Sequence, residues 1–338
     1  MKRVVVLGKG QIGSVAGRAL ALEGHEVVYF DKLGGGTDTV RVDTEDNHAL
    51  VAALSKQHPD LVIGTLPAHI GYQAAANVLG AGYNYIDVSF YPENIEPFCD
   101  IAHANGVVYI PDCGLAPGLS NLIVGNLTQL VWSQTEQTPQ TILVEVGGVA
   151  KDSAQPFGYV TTWNVQDLHA EYTRPARLRR DGKNIELPAF SELELTSTRL
   201  GQMERFLTDG SRTLLTSFPT VPDVSELTLR WPGHAEAVQP LLKSNSFMRT
   251  IKEQCSTGVE DIVLLRVSVD TLRYDIVISA RNGLSAMARG TALTLAKTAN
   301  WYLSNPDRVI GLWTMEDLGC EPGVLQAIMD MKLKIDEV

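Results

Sequence analysis

Short, nearly continuous apolar runs punctuate the first third of the chain, at residues 4–7 (VVVL), 25–30, 61–66 (LVIGTL), 83–89 and 107–111. Unbroken runs, in place of strict alternation, mark strands buried on both faces, as in a parallel sheet. The stretches between them carry helical spacing at 14–22, 48–57, 71–79 and 93–105, and residues 38–43 add one more strand. Six strands with intervening crossovers predict an α/β fold, a doubly wound Rossmann parallel sheet. The pattern then changes. Helix is expected over 117–130, a polar linker over 134–140 and an alternating strand over 141–149, after which prolines recur at 156, 175, 188, 219, 222, 232 and 240. Strand-like stretches return at 226–231, 262–271 and 274–281, the mark of an inserted α+β domain with a mixed or antiparallel sheet. The C-terminal part returns to helix, and the small residues Ala286, Ala288, Gly290, Ala292 and Ala296 suit close packing. The expected division places a first domain over 1–120 and an inserted one over 121–283, with the helical stretch that follows packing back onto the first.

The first apolar run leads directly into Gly8-x-Gly10-x-x-Gly13, and the second strand ends at Asp31. Strand, glycine turn, helix, strand and acid in that order form the context a dinucleotide-binding fingerprint requires. Gly8 permits the tight turn, Gly10 lets the backbone approach a pyrophosphate, and Gly13 lets helix and strand pack closely, with the helix N–H groups facing the phosphates. Asp31 would bind the adenosine ribose hydroxyls and repel a 2′-phosphate. NAD is therefore favoured over NADP, although Lys32 follows at once. In such a sheet ligands bind at the carboxyl ends of the strands. That rule gathers residues 8–12, Asp31, Asp43, Leu66 with Pro67, Ser89 with Phe90, and residues 112–115 around one crevice.

Composition narrows the function classes. With 338 residues, 44% hydrophobic and 20% charged, the chain can fill two ordinary globular cores. A net charge of −11 argues against general binding to nucleic acid or anionic membranes. Residues 173–183 hold four arginines and a lysine, read as a solvated turn or edge. The four cysteines show no C-x-x-C pair and no zinc spacing, and the histidines form no H-E-x-x-H, so no metal site is expected. Core packing is the expectation for each cysteine. The chain opens on a strand and lacks an apolar stretch of the ~20 residues a bilayer needs, so a cytoplasmic protein is expected.

Four longer segments are more specific than the glycine motif: PDCGLAPGLSNL at 111–122, GGVAKDSAQPFGY, LTDGSRTLL and TLRWPGHAE at 228–236. With the fingerprint they make the chain resemble the saccharopine dehydrogenase-like family, which includes saccharopine reductases, lysine 6-dehydrogenase and carboxynorspermidine dehydrogenase. The middle segments are most similar to lysine 6-dehydrogenase-like members. The resemblance implies a dinucleotide-binding domain over 1–120 completed by 284–338, a substrate-binding and dimerisation domain over 121–283 whose sheet forms a homodimer, and an NAD(P)-dependent dehydrogenase that oxidises a C–N bond of an amino acid. It implies that Lys9, Gln11 and Ile12 line the pyrophosphate, that Asp43 and Thr44 border the adenine, and that Leu66 and Pro67 lie on the nicotinamide side. Ser89 would contact a ribose or amide, Leu115 and Pro117 would border the cofactor, and Phe90 and Tyr91 would begin the substrate pocket. Arg212 matches a segment that supplies a substrate-binding arginine in the reductases, and a guanidinium forks onto a carboxylate.

One departure is informative. Saccharopine reductases carry an acid in the leucine–acid–proline–glycine tetrad, where this chain has Ala116. Arg230 would either bind a carboxylate or face solvent. His234, after a Pro-Gly turn at a strand end, is the first choice as general base, with Glu236 on the same strand face to orient it; Asp112 and Asp87 are the reserve. A non-catalytic NAD-binding sensor is the alternative reading.

Overall fold

The computed structural model describes residues 1–162, 164–255, 258, 260–306 and 309–333. The chain forms two compact units, Met1–Leu119 together with the chain from Thr291 onward, and Ser120–Gly290.

The first unit is built on a parallel sheet. Its strands are Arg3–Leu7 (β1), Glu26–Asp31 (β2), Thr39–Arg41 (β3), Leu61–Gly64 (β4), Tyr85–Asp87 (β5), Val108–Ile110 (β6) and a late two-residue strand, Gly311–Leu312. The late strand pairs with β6, and the order across the sheet is Gly311–Leu312, β6, β5, β4, β1, β2, β3. This last strand is absent from the sequence expectation, because two residues are too few to show a period. Direction of progress reverses between β1 and β4, where a doubly wound sheet opens its crevice. The helices α1 (Gln11–Leu22), α2 (Asn47–Gln57), α3 (Ala68–Gly80) and α4 (Pro97–Asn105) fill the connections. Val4 to Leu7 and Leu61 to Ile63 are fully buried, as their unbroken apolar runs require. α1 starts earlier than its apolar spacing suggests, since Gly10 itself serves as N-cap. α2 is capped in the usual way, the Asp46 carboxylate accepting from the amides of His48 and Ala49.

The second unit opens with α5 (Leu119–Thr135) and holds a mixed eight-stranded sheet. Its strands are Thr141–Ala150 (β7), Ala176–Arg180 (β8), Lys183–Leu187 (β9), Glu194–Thr198 (β10), Gly201–Leu207 (β11), Asp223–Arg230 (β12), Asp261–Val269 (β13) and Leu272–Ser279 (β14). The main path runs β10, β11, β12, β7, β13, β14, with β8 and β9 as a hairpin beside β12. β12 and β7 are parallel, and the other neighbours antiparallel. β8 through β11 lie where the sequence suggested only irregular chain. A hairpin signal was present: Asp181 and Gly182, both at positive φ, make the two-residue turn that pairs Arg180 with Lys183. One sheet face is covered by α6 (Val165–Thr173), α8 (His234–Lys243) and α9 (Phe247–Gln254), through Leu168, Tyr172, Phe206, Val238, Phe247 and Ile251. A short helix, α7 (Leu214–Ser217), separates β11 from β12, and α10 (Ala286–Ser304) carries the chain back into the first unit.

Candidate functional site

In the first unit the glycine turn has the geometry its spacing predicts. Gly8 sits at φ +91°, in the left-handed region that other residues rarely adopt. A Cβ at Gly13 would lie 2.1 Å from the Gly8 carbonyl oxygen, so strand and helix meet backbone to backbone. A Cβ at Gly10 would meet no atom within 4 Å, and no side chain caps the start of α1. The turn therefore offers open backbone and uncapped first-turn amides where a pyrophosphate needs them. Thr65 closes the floor, its hydroxyl donating toward the carbonyls of Leu7 and Gly8 at 2.9 and 3.1 Å. Asp31 ends β2 half-buried, its carboxylate accepting from the amides of Lys9 and Leu33, both at 2.9 Å. That clamp sets the acid beside the turn. These residues fit a dinucleotide.

The residues around the turn divide. Gln11, Lys32, Asp43 and Pro67 are exposed, Ile12 and Phe90 half-buried, and Thr44, Leu66 and Leu115 buried. Pro117 is half-buried, on a cis peptide bond with Ala116. Lys9 gives the turn its amide, but its ammonium is bound to Asp38 at 2.6 Å and Thr39 at 2.7 Å, and holds the Asp38 carboxyl below its usual range. The side chain of Lys9 is thereby committed to Asp38 and Thr39, which leaves its backbone to the turn. Ser89 is buried, with its hydroxyl donating to the Leu66 carbonyl at 2.9 Å, a packing role in place of a ligand contact. Tyr91 is 1% exposed, hydrogen-bonded to Tyr109 and edge-on to Tyr72, so it belongs to the core of this unit and does not open a pocket. Asp87 is fully buried and accepts from the Ser89 amide at 2.7 Å, which removes it from reach of a substrate. Asp112 lies just past the carboxyl end of β6 at φ +53°.

The second unit holds a buried polar cluster on the helix-covered sheet face. Glu226, Thr228 and Arg230 alternate along β12, and Glu204 and Thr208 lie opposite on and just beyond β11. α6 supplies Glu171 and Tyr172. Arg230 is 4% exposed; its Nε donates to the Tyr172 hydroxyl at 2.7 Å, another nitrogen to the Leu229 carbonyl, and a third lies 3.8 Å from Glu171. It neither faces solvent nor offers a fork to a ligand, which corrects both expected roles.

His234, past the Pro-Gly turn that follows β12, opens α8, and it is 2% exposed. One ring nitrogen is 2.8 Å from the Phe157 carbonyl and the other 2.9 Å from the Tyr172 hydroxyl. Burial and the neighbouring Arg230 push its pKa down to about 3, which keeps the ring neutral. A general base with both nitrogens engaged inside a core has no proton to take from outside. Glu236 is exposed two residues on; a helix turns about 200° over that interval, so the two cannot share a face. The carboxylate that orders this turn is Glu204, which accepts from the amides of Gly233 and Ala235 at 2.8 and 2.6 Å.

The arginine-rich stretch 173–183 is likewise structural in large part. Arg174 and Arg177 grip the buried Asp209, each through Nε at 2.8 Å, and Arg179 is 3% exposed. Arg212 follows three residues after Asp209, half-buried at φ +39°, and lies near enough to push the Arg174 guanidinium, already lowered by burial, further down. Arg212 thus adds to the cationic neighbourhood of Arg174 and Arg177. Glu171, Thr208, Asp209 and Glu226 were not singled out from sequence. The period-2 polar alternation of β12 was the legible signal for Glu226.

Among the described residues no group of histidine, cysteine and acidic side chains could hold a metal ion, and no helix is long and apolar enough to cross a membrane. The cysteines carry free thiols, and burial raises the pKa of Cys113 to about 12 and of Cys255 to about 11.

The sequence model of the saccharopine dehydrogenase C-terminal domain matches residues 114–333, and the chain belongs to that family. The fold is shared with apo saccharopine dehydrogenase (L-Glu forming) from Saccharomyces cerevisiae, at 15% identity over 100% of this chain and 97% of that one, with a TM-score of 0.77. It is shared too with the homospermidine synthase of Legionella pneumophila, solved in complex with NAD, at 17% identity over 97% of this chain and 88% of that one, with a TM-score of 0.72.

Proposed function

We propose that the protein is an NAD-dependent oxidoreductase that oxidises a C–N bond of an amino acid, as lysine 6-dehydrogenase-like or saccharopine-type members of its family do. The observation that carries this reading is the glycine turn, open at Gly10 and flanked by the clamped carboxylate of Asp31. Asp31 would accept from the ribose hydroxyls and repel a 2′-phosphate, which favours NAD over NADP. The NAD complex of the similarly folded homospermidine synthase points the same way. Bound nicotinamide would supply the hydride acceptor, leaving the protein to bind, orient and exchange protons. Arg212, beside Arg174, is suited to a substrate carboxylate. His234 has both ring nitrogens engaged and Asp87 lies within β5; Asp112, itself only 5% exposed, sits past the carboxyl end of β6, where ligands of such sheets bind, and is the carboxylate this reading retains for proton transfer. Ala116 supplies no acid of the saccharopine-reductase kind, which favours a lysine-type donor.

A second reading, a non-catalytic NAD-binding sensor, draws on the occupied nitrogens of His234. Following NADH formation with lysine, ornithine, saccharopine and diaminocarboxylates separates the two. Turnover on one donor that Asp112→Asn reduces at least about a hundredfold is expected, the scale of general acid–base catalysis. Tight NAD binding with no turnover on any donor would establish the sensor.

A further inference from the structure

The sheet face that carries Arg230 also holds an unbroken line of short oxygen–oxygen contacts. Glu226 Oε2 lies 2.6 Å from Thr208 Oγ1, which lies 2.9 Å from Thr228 Oγ1, which lies 2.8 Å from Glu171 Oε1. Three hydrogen bonds need three protons along the line, and each hydroxyl owns one. With both carboxylates ionised only two are present, and one contact would set lone pair against lone pair. Glu226, Thr208 and Thr228 are at most 4% exposed, so water does not make up the difference. The third proton belongs to a carboxyl. Glu171 is the charged end, because Arg230 stands 3.8 Å away and the glutamate is partly open. Glu226 Oε2 is met by the Thr208 hydroxyl and the Gly210 amide at 3.2 Å, both uncharged groups.

We propose that Glu226 is an uncharged carboxylic acid, and that it is a positioning residue whose proton holds the segment 208–213, which presents Arg212. The loop sits directly on the carboxyl: a Cβ at Gly210 would come within 2.6 Å of the Glu226 carboxyl carbon and oxygen. Loss of the proton would place a charge facing Glu171. Arg230, on the same strand, is engaged by Tyr172, the Leu229 carbonyl and Glu171. At the end of α6, its C-cap Arg174 is engaged by Asp209, and on α8 His234 is neutral. β7 presents Val144 opposite Glu226. Burial raises both carboxyls, and at Glu171 it is opposed by Arg230 and the Thr228 bond. Burial raises the Glu226 carboxyl most, the Thr208 bond opposes it, Glu171 raises it again, and the result is about 8. Since the folded state holds this proton to a higher pH than an unfolded glutamate does, the stability it contributes is full below the ordinary glutamate range and falls as pH rises through about 8.

The test uses the full chain with carbon-13 at glutamate carboxyls, titrated by NMR from mildly acid to alkaline pH. One carboxyl titrating near pH 8, absent from Glu226→Gln and moved upward by Thr208→Val, is expected. Finding every glutamate titrated below about pH 6, or the late one still present in Glu226→Gln, overturns the assignment. Hydrogen exchange of amides 208–213 reads the positioning role. Above the midpoint, exchange should be faster in the wild type than in Glu226→Gln at the same pH; equal rates overturn that role. The consequence for ligands rests on the proposed carboxylate binding by Arg212. Glutarate is the probe: wild-type affinity should fall at least about tenfold across the same midpoint while Glu226→Gln stays flat. If glutarate binds neither protein, the reading of Arg212 fails, while the NMR and exchange results still decide the role of Glu226.

Discussion

Gly10 and Gly13 stand three residues apart in one turn, yet a methyl group added at each would meet opposite surroundings. At Gly13 the new Cβ would collide with the Gly8 carbonyl oxygen at 2.1 Å, so helix and strand must part. Gly13→Ala is expected to cost about 1–3 kcal/mol of unfolding free energy, the range for overpacked positions, measurable by urea denaturation. At Gly10 the Cβ would enter open space. Gly10→Ala should leave stability within about 0.5 kcal/mol of wild type. It should weaken NAD binding about tenfold or more by calorimetry, because the methyl occupies the approach a pyrophosphate needs. Equal effects of the two substitutions on both quantities would contradict the assigned roles. The spacing of the glycines was legible from sequence because each role is set by backbone within a few residues. The states of Arg230 and His234 were not, since the groups that engage them come from α6 and from the segment before it.

The same contrast holds between elements. β1, β4, β5 and β6 declared themselves as unbroken apolar runs because helices bury both faces of their sheet. β8 to β11 did not. They are short and rich in charge, and no residue of β9 or β10 is fully buried. β8 depends on Arg179, a buried cation that answers to carbonyls in place of a carboxylate. Its guanidinium donates to the carbonyl oxygens of Leu215, Phe218 and Val221, and its Nε to Asn184. Two of those carbonyls lie at the end of α7, where the helix dipole favours positive charge. Arg179→Met would strand buried acceptors and is expected to cost about 2–4 kcal/mol, on the usual penalty for unsatisfied buried groups. Chemical denaturation checks it, and a cost below about 0.5 kcal/mol would show the cation to be idle.

For the whole molecule, we propose that two copies associate through the second unit's sheet, as the family resemblance implies. Among the described residues β14 pairs with β13 on one side and ends the sheet on the other, and it leaves Tyr274 and Val277 39% and 38% exposed. An edge of this kind invites pairing unless something covers it. Light scattering should give twice the chain mass of 36.8 kDa. The pair Tyr274→Lys and Val277→Lys should shift the protein toward one chain mass; a wild type already at one chain mass removes the proposal. What the sequence by itself determined is the doubly wound sheet, the presence of a second, mixed-sheet unit, the glycine turn and the acid that follows it. All of these are written in local period and spacing. Only the tertiary structure decided which candidate groups remain available for chemistry. His234 is silenced by Tyr172, 62 residues away, and the proton on Glu226 is fixed by a line of oxygens drawn from α6, β12 and the end of β11. Protonation and accessibility depend on neighbours brought together by folding, and no window along the chain contains them.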